Sequence, residues 1–240
     1  MSTTREESPG PGTAQTAAPG LARAVAHLRA SGLLVLPTDT VYGIGALAGD
    51  SEAVSRLLAA KGRGRQMPPP VLVSGPEQLA GVVAGLSAAA RRLMEVFWPG
   101  ALTLVLDADP QLGWDLGQTG GTVAVRVPAH PLALALLART GPLAVTSANR
   151  TGQPPATDAG SAARAFPGRV ARAEEPGWPQ ADILLLDGGP TPGPVPSTIV
   201  SLAGAHAQAP VVLRGGRLSS QQVRAALAGS TGTRLQEAQA

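Results

Sequence analysis

The chain has 240 residues, enough for one large domain with tails, and 44% of them are apolar. The net charge is only +3, and the absence of cysteine excludes disulfides, thiolate metal sites and a thiol nucleophile. No apolar stretch reaches about 18 residues, and the first residues lack the basic start and apolar run of a signal peptide. We therefore expect a soluble, cytoplasmic protein that makes no membrane contact.

Residues 1–20 are polar and rich in Pro, Gly and Thr, so the composition predicts a disordered tail. Helical or strand-like periodicity runs from residue 21 to residue 228, and the last residues, 229–240, are expected to fray. The predicted helices are LARAVAHLRASG, SEAVSRLLAAKG, PEQLAGVVAG, SAAARRLMEVFW, HPLALALLARTG and SSQQVRAALAG. The predicted strands are LLVLP, VLVS, ALTLVLDA, TVAVRVP, PLAVTSAN, ADILLLDGG, PSTIVSL and APVVLRGG.

Helices and strands interleave along the chain, which predicts an α/β fold in which a twisted sheet is flanked by helices. Long Pro- and Gly-rich segments, such as the one around 167–179, interrupt the alternation and favour a mixed sheet over a regular doubly wound one. Polar segments follow several strands: PTDTVYG, TSANRTG, PSTIV and LRGG. Ligands of α/β proteins bind at strand ends, so these segments predict a concave ligand cleft.

Eighteen of the nineteen Lys and Arg residues are arginine, so Lys61 in KGRGR is the single lysine. The arginines are spread along the chain and form no compact basic run that would track a nucleic-acid backbone. A small anionic ligand is at least as consistent with this distribution as RNA.

Several common site types are disfavoured by spacing. Gly43, Gly45 and Ala48 match G-x-G-x-x-A, but the next helix begins only near residue 50, and no acidic residue follows at the distance a ribose requires. A P-loop motif is absent, and His27, His130 and His206 lie too far apart to suggest a metal site. Ser147 and His130 could be imagined as nucleophile and base, but no G-x-S-x-G elbow surrounds the serine.

Seven segments occur here in an order that is specific as a set. They are PTDTVYGIG, KGR followed by prolines, WPGALTLVL, TVAVRVPAHP, PLAVTSANRTGQP, DGG…PSTIV and LRGG. Together they resemble the YrdC/Sua5 family, the L-threonylcarbamoyladenylate synthases, over about residues 20–228, in the short single-domain form. The resemblance implies a YrdC-like fold and a nucleotidyltransferase that makes threonylcarbamoyl-AMP and pyrophosphate from ATP, L-threonine and bicarbonate. That product serves the threonylcarbamoyl-adenosine modification of tRNA.

The resemblance also implies roles for individual residues. It assigns Arg126 to the threonine carboxylate, with Thr40, Tyr42 and Ser197 on the same pocket. Lys61 and Arg63 are expected to be catalytic by offsetting the phosphate charge, and an extended turn would point both along one face. The nucleotide contacts expected from the resemblance are Lys61, Arg63, Thr122, Ser147, Asn149 and Arg214.

Mg²⁺ is expected to accompany ATP, with no protein ligand assigned and Asp39 only a weak candidate. Contact with tRNA is possible, and a threonylcarbamoyl-transferase complex is expected downstream. The chain departs from the family pattern at Met67 and Leu72, where longer members often carry asparagine and histidine. It also has Pro155 where some relatives have serine.

Two other classes of protein stay open. The first is a non-catalytic module that binds tRNA or double-stranded RNA, which the high isoelectric point permits and which predicts salt-sensitive binding without any need for threonine. The second is a carbamoyl-transfer module like the related domain of hydrogenase maturation factors. Those chains are much longer and contain zinc fingers, and the absence of cysteine here argues against that class.

Overall fold

The computed structural model describes residues 20–175, 181–228 and 235–237. The α-helices in this part of the chain are α1 (Leu21–Arg29), α2 (Ser51–Lys61), α3 (Ala88–Phe97), α4 (Pro131–Thr140), α5 (Ala159–Arg164) and α6 (Ser220–Leu227). The strands are β1 (Leu33–Leu36), β2 (Gly43–Leu47), β3 (Val71–Leu72), β4 (Leu102–Asp107), β5 (Thr122–Arg126), β6 (Leu143–Ser147), β7 (Val170–Arg172), β8 (Ile183–Leu185), β9 (Thr198–Ser201), β10 (Val211–Arg214) and β11 (Gln236–Glu237).

The strands form one mixed sheet in the order β11-β10-β9-β4-β5-β3-β6-β2-β1-β8-β7. Its antiparallel pairs are β1/β2, β2/β6, β3/β6, β4/β5 and β9/β10, and its parallel pairs are β1/β8, β7/β8, β3/β5, β4/β9 and β10/β11. The prediction of a mixed α/β sheet covered by helices is therefore confirmed.

Alternate residues of the strands supply two separate apolar cores, one on each face of the sheet. One core packs under α2, α3, α5 and α6 and takes Val71, Val125 and Ala144 from the central strands. The other packs under α1 and α4 and takes Leu72 and Val145. Because α1 and α4 are the described helices that cover this second face, part of it remains available as a cleft.

The segment GIGAL forms strand β2, although the sequence reading did not assign it to a strand. A Cβ atom on Gly43 would lie 2.5 Å from Val145 Cγ1, and one on Gly45 would lie 2.8 Å from the carbonyl oxygen of Ala144. These distances are far below the normal van der Waals contact distance of a Cβ atom, so the absence of side chains on the two glycines allows β2 and β6 to pack closely. The G-x-G pattern serves strand packing, in agreement with the rejection of a dinucleotide motif.

Other sequence predictions differ from the structure in detail. The segment predicted as the helix PEQLAGVVAG contains only a short 3₁₀ helix, Pro76–Leu79, because Gly81 has a left-handed φ of 73°. Helix α5 lies in a segment for which no element was predicted, and strand β7 lies in the Pro- and Gly-rich segment around 167–179. Of the predicted tails, 1–19, 229–234 and 238–240 lie outside the described residues, and Gln236 and Glu237 pair with β10 instead of fraying.

Among the described helices, none combines the length and the apolar character needed to cross a membrane.

Candidate active site

The cleft on the α1/α4 face contains a cavity of about 500 Å³. It is bounded by the loop after β1, the loop after α2, and the ends of β5, β6, β9 and β10. Seven of the residues predicted to bind substrates line it: Thr40, Arg63, Arg126, Ser147, Asn149, Ser197 and Arg214. The structure therefore brings most of the predicted site together from segments that are distant in sequence.

Arg126 is the most constrained cation in the cavity, with an exposed fraction of only 6%. Its Nε donates to the carbonyl oxygen of Gly100 (2.9 Å), its Nη1 to Thr40 Oγ1 (3.2 Å) and its Nη2 to Asp39 Oδ1 (2.6 Å). Burial lowers the pKa of Arg126, an effect that the neighbouring Asp39 carboxylate opposes. Three of the five guanidinium N–H bonds are thus used within the protein, and two remain for a ligand.

A turn over residues 38–41, closed by hydrogen bonds of the Thr38 hydroxyl, holds Thr40 next to Arg126. Thr38 Oγ1 donates to the carbonyl oxygen of Val41 (2.6 Å) and accepts from the backbone N–H of Thr40 (3.2 Å) and of Val41 (3.3 Å). The same hydroxyl lies 3.0 Å from Thr40 Oγ1. Such turns replace backbone hydrogen bonds with side-chain ones, so PTDT forms a rigid rim rather than a loose loop.

The KGR segment does not form the predicted extended turn. Lys61 is the last residue of α2, and Gly62 ends the helix in the left-handed conformation, with φ 63° and ψ 34°. This reversal sends Arg63 into the cavity, where its Nη1 donates to Thr146 Oγ1 (2.8 Å). Among the residues that the structure describes, Arg63 Nε is buried without a hydrogen-bond partner, and burial lowers the pKa of Arg63. A buried donor without a partner costs stability, so this geometry favours an oxyanion ligand.

Lys61 does not reach into the cavity, which corrects the expectation that it points along the same face as Arg63. It is 1% exposed, and its Nζ donates to the carbonyl oxygens of Ser147 and Asn149 and to Asn149 Oδ1 (3.1 Å). All three ammonium N–H bonds are therefore spent on the loop that follows β6. In this structure Lys61 holds Ser147 and Asn149 in place.

Burial lowers the pKa of Lys61 from its ordinary 10.5 to about 7, and the nearby Arg63 charge acts in the same direction. We expect the single lysine to titrate near neutral pH, which NMR of the side chain would measure without overlap from other lysines. Because the unfolded chain keeps this proton up to its ordinary pKa, unfolding binds a proton between the two values. Lys61 should therefore make the fold more stable as pH rises through that interval. Titration at the ordinary value would contradict this assignment.

Ser197 and Arg214 form the opposite wall. Arg214 Nη2 donates to the carbonyl oxygen of Ser197 (2.7 Å) and to its hydroxyl (3.3 Å), while Thr103 Oγ1 lies 2.9 Å from Ser197 Oγ. Burial lowers the pKa of Arg214, and the charge of Arg63 contributes. The Ser197 hydroxyl is thus held between a cation and a buried threonine, where it can meet a polar group of a ligand.

Tyr42 does not line the cavity as expected. It is fully buried, and its hydroxyl donates to the carbonyl oxygen of Gly189 (2.7 Å) and accepts from the N–H of Gly188 (3.2 Å). Asp187 Oδ1 lies 3.2 Å away. Burial raises the pKa of Tyr42 to about 12. Tyr42 therefore does not face the cavity, and its hydroxyl links the PTDTVYG segment to the loop after β8.

Replacing Tyr42 with phenylalanine should lower the free energy of unfolding by about 1–3 kcal/mol, because buried partners of the hydroxyl would lose their hydrogen bonds. Chemical denaturation of the two proteins would measure the difference. A denaturation midpoint equal to that of the unaltered chain would contradict this structural role.

Thr122 lies outside the cavity lining, and its hydroxyl donates to the carbonyl oxygen of Thr119 (2.8 Å). In the sheet register Val71 lies opposite both Val125 and Ala144. Thr122 lies three residues before Val125 in β5, and Ser147 lies three residues after Ala144 in β6. Because β5 is parallel and β6 antiparallel to β3, these two residues lie at the same end of the sheet. The structure keeps Thr122 near this end but does not bring it to the other site residues.

The cavity is strongly cationic. Arg63, Arg126 and Arg214 line it and Lys61 lies behind it, whereas Asp39 forms the one ion pair with these cations in the part of the chain that the structure describes. Among those same residues, no group of three His, Cys, Asp or Glu side chains could hold a metal ion. Asp39, the weak candidate for Mg²⁺, is bonded to Arg126 and to the N–H of Ala129 (2.9 Å). The arrangement suits a ligand that carries several negative charges.

The three departures from the family pattern also lie on this surface. Met67, Leu72 and Pro155 all line the cavity, so each replaces a polar group with an apolar wall. The sequence reading missed three buried threonines, Thr38, Thr103 and Thr146, which orient Thr40, Ser197 and Arg63. For Thr103 and Thr146 the signal in the sequence was a polar residue inside an otherwise mostly apolar strand, whereas Thr38 belongs to the polar segment PTDT.

The fold and the site define a class of α/β protein with an open mixed sheet and a cationic ligand cavity. A family model described as telomere recombination, that of the Sua5/YciO/YrdC proteins, matches residues 26–216. A protein of Mycobacterium tuberculosis (strain ATCC 25618 / H37Rv) is 47% identical over 204 residues, which cover 85% of this chain and 87% of that protein. The chain belongs to the Sua5/YciO/YrdC family.

Further relatives agree with this membership. A threonylcarbamoyl-AMP synthase of Bacillus subtilis is 39% identical over 212 residues, covering 87% of this chain and 57% of the relative. The crystal structure of Pyrococcus abyssi Sua5 complexed with L-threonine matches with a TM-score of 0.73 and 34% identity, over 90% of this chain and 58% of that one. The chain thus spans a little over half the length of these two proteins. The fold of Escherichia coli YciO is also similar, with a TM-score of 0.70.

Proposed function

We propose that the chain is an L-threonylcarbamoyl-AMP synthase, a nucleotidyltransferase that uses ATP, L-threonine and bicarbonate. The observation that carries the proposal is the cavity itself, in which a buried arginine with free N–H bonds faces two further arginines. Relatives that share the family bear this enzyme's name, and one of their structures holds L-threonine.

The proposed reaction has two parts. Threonine and bicarbonate give the N-carboxylated amino acid, with loss of one water molecule and one proton. An oxygen of this carbamate then forms a bond to the α-phosphorus of ATP, and the bond from that phosphorus to the bridging oxygen of pyrophosphate breaks. Both reactants of the second part are anions, so the protein has to supply fixed positive charge and hydrogen-bond donors.

The residues divide between the two ends of the cavity. The two N–H bonds of Arg126 that remain free suit the carboxylate of threonine, with Thr40 and Ser197 beside it. Arg63, whose Nε has no hydrogen-bond partner in the described part of the chain, suits a phosphate oxygen, as do Ser147 at the end of β6 and Asn149 in the loop after it. Arg214 lines the same cavity, and its charge interacts with the charges of Arg63 and Arg126, which suits a place where the two anions meet.

Mg²⁺ enters this proposal as part of the MgATP substrate, held by the phosphate oxygens. Delivery of threonylcarbamoyl-AMP to a transferase complex, for modification of a tRNA adenosine, is the proposed use of the product. Contact with the tRNA itself is a further proposal that the exposed arginines would permit.

The experiment is release of pyrophosphate from ATP, with threonine and bicarbonate each omitted in turn. The proposal predicts release that requires both substrates. Release that needs neither substrate would contradict the proposed reaction, and salt-sensitive binding of tRNA without any release of pyrophosphate would favour the non-catalytic RNA-binding class.

A further inference from the structure

Asp39 is a carboxylate at the rim of a cavity whose charged lining residues, Arg63, Arg126 and Arg214, are all cations. Its side chain is 14% exposed, and it does not line the cavity. Asp39 Oδ1 accepts from Arg126 Nη2 at 2.6 Å and from the N–H of Ala129 at 2.9 Å. The carboxylate therefore stands behind Arg126, on the side away from the ligand space.

Two other groups hold the same guanidinium from different directions. Its Nε donates to the carbonyl oxygen of Gly100, and its Nη1 donates to Thr40 Oγ1. Gly100 itself is fixed, because its N–H donates to the carbonyl oxygen of Val127 (2.8 Å). A planar guanidinium held at all three nitrogens has one orientation, which sets the direction of its two remaining N–H bonds.

Asp39 is the only one of these three acceptors that carries charge. A cation buried to this extent without a counter-ion would be costly, and the other two partners are neutral. Arg214 adds repulsion, because its charge lowers the pKa of Arg126. Removing the carboxylate would thus leave Arg126 buried next to another cation, with the neutral acceptors Gly100 and Thr40 alone to hold its orientation.

We infer that Asp39 is a positioning residue that orients Arg126 for the carboxylate of the amino-acid substrate, and that it is not a magnesium ligand. The inference rests on the proposed function, because it concerns the amino acid that Arg126 is proposed to bind. Of the cavity-lining residues, Arg126 is the one whose side chain Asp39 contacts in the described part of the chain, so the effect of Asp39 should fall on amino-acid binding and not on the nucleotide.

The test compares Asp39→Asn with Asp182→Asn, which removes the same charge from an exposed ion pair with Arg169. Asp182 precedes β8 and is level with the start of β1, whereas Asp39 follows the end of β1. Threonine binding to the full chain would be measured by calorimetry, and the KM values for threonine and MgATP by pyrophosphate release. We expect Asp39→Asn to weaken threonine binding by about tenfold or more and to leave the KM for MgATP within about twofold. Asp182→Asn should change neither quantity.

Asp39→Glu serves as the conservative variant. It keeps the charge, so the protein should fold even if Asp39→Asn does not, but its longer side chain should displace Arg126 and weaken threonine binding several-fold. Unchanged threonine binding in both variants would overturn the inference. So would a raised Mg²⁺ requirement with normal threonine binding, or an equal rise of both KM values. If the unaltered chain bound no threonine, the proposed function would fail first and the inference with it.

Discussion

Replacing Arg126 with alanine is expected to lower kcat/KM for threonine by about a hundredfold or more. The guanidinium offers two free N–H bonds to the cavity, and each charge-assisted hydrogen bond contributes about 1.5–3 kcal/mol. The change also leaves Asp39 without its cation, so the free energy of unfolding should fall by a few kcal/mol. Threonine titrations of pyrophosphate release would measure the first effect, and chemical denaturation the second.

Two comparisons separate these effects. Arg126→Lys retains the charge but not the planar fork, so it should recover much of the stability and little of the threonine affinity. Arg169→Ala removes an arginine from an exposed ion pair and should alter neither. An Arg126→Ala protein with an unchanged KM for threonine would show that the carboxylate binds elsewhere.

Replacing Lys61 with methionine is expected to lower kcat by about a hundredfold or more while threonine still binds. Methionine fills a similar volume but leaves the carbonyl oxygens of Ser147 and Asn149 and the Asn149 amide oxygen without their donor. The loop after β6 would then lose the position from which Ser147 and Asn149 meet the nucleotide. Arg126 and Thr40 take no hydrogen bond from Lys61, so the threonine end of the cavity should persist.

Arg56→Met is the matched control, because Arg56 lies on the exposed face of the same helix. Steady-state turnover and threonine calorimetry on the three proteins would distinguish the possibilities. Turnover equal to that of the unaltered chain in Lys61→Met would refute a role for the lysine in the site. Simultaneous loss of turnover and threonine binding would indicate that the whole cavity depends on Lys61.

Most of the fold was predictable because its elements follow simple periodicities. LLVL is continuously apolar and forms a buried strand, and the side chain of Asp50 caps α2 by accepting from the N–H of Ala53. β2 was missed because its glycines look like turn residues in sequence, and only the neighbouring Val145 reveals why they are needed in a strand. Such close approaches depend on residues about a hundred positions away and leave no local pattern.

The site was predictable as a set of segments, but the roles within it were not. The resemblance placed Arg63, Arg126 and Ser197 in one cavity, and they line it together. It could not distinguish a residue that faces the cavity from one that supports it, because that depends on the helix-ending turn at Gly62 and on the hydrogen bonds of Lys61 and Tyr42. The orientation of Asp39 likewise required the positions of both Arg126 and Ala129.

The most direct test of the central proposal is mass spectrometry of the product formed from ATP, L-threonine and ¹³C-labelled bicarbonate. The account predicts a compound containing AMP, threonine and one bicarbonate carbon, heavier by one mass unit than the unlabelled product and absent when any substrate is omitted. A product that contains threonine and AMP but no label would contradict the carboxylation step. Detection of no adenylated product, under conditions in which threonine binds, would contradict the proposed activity itself.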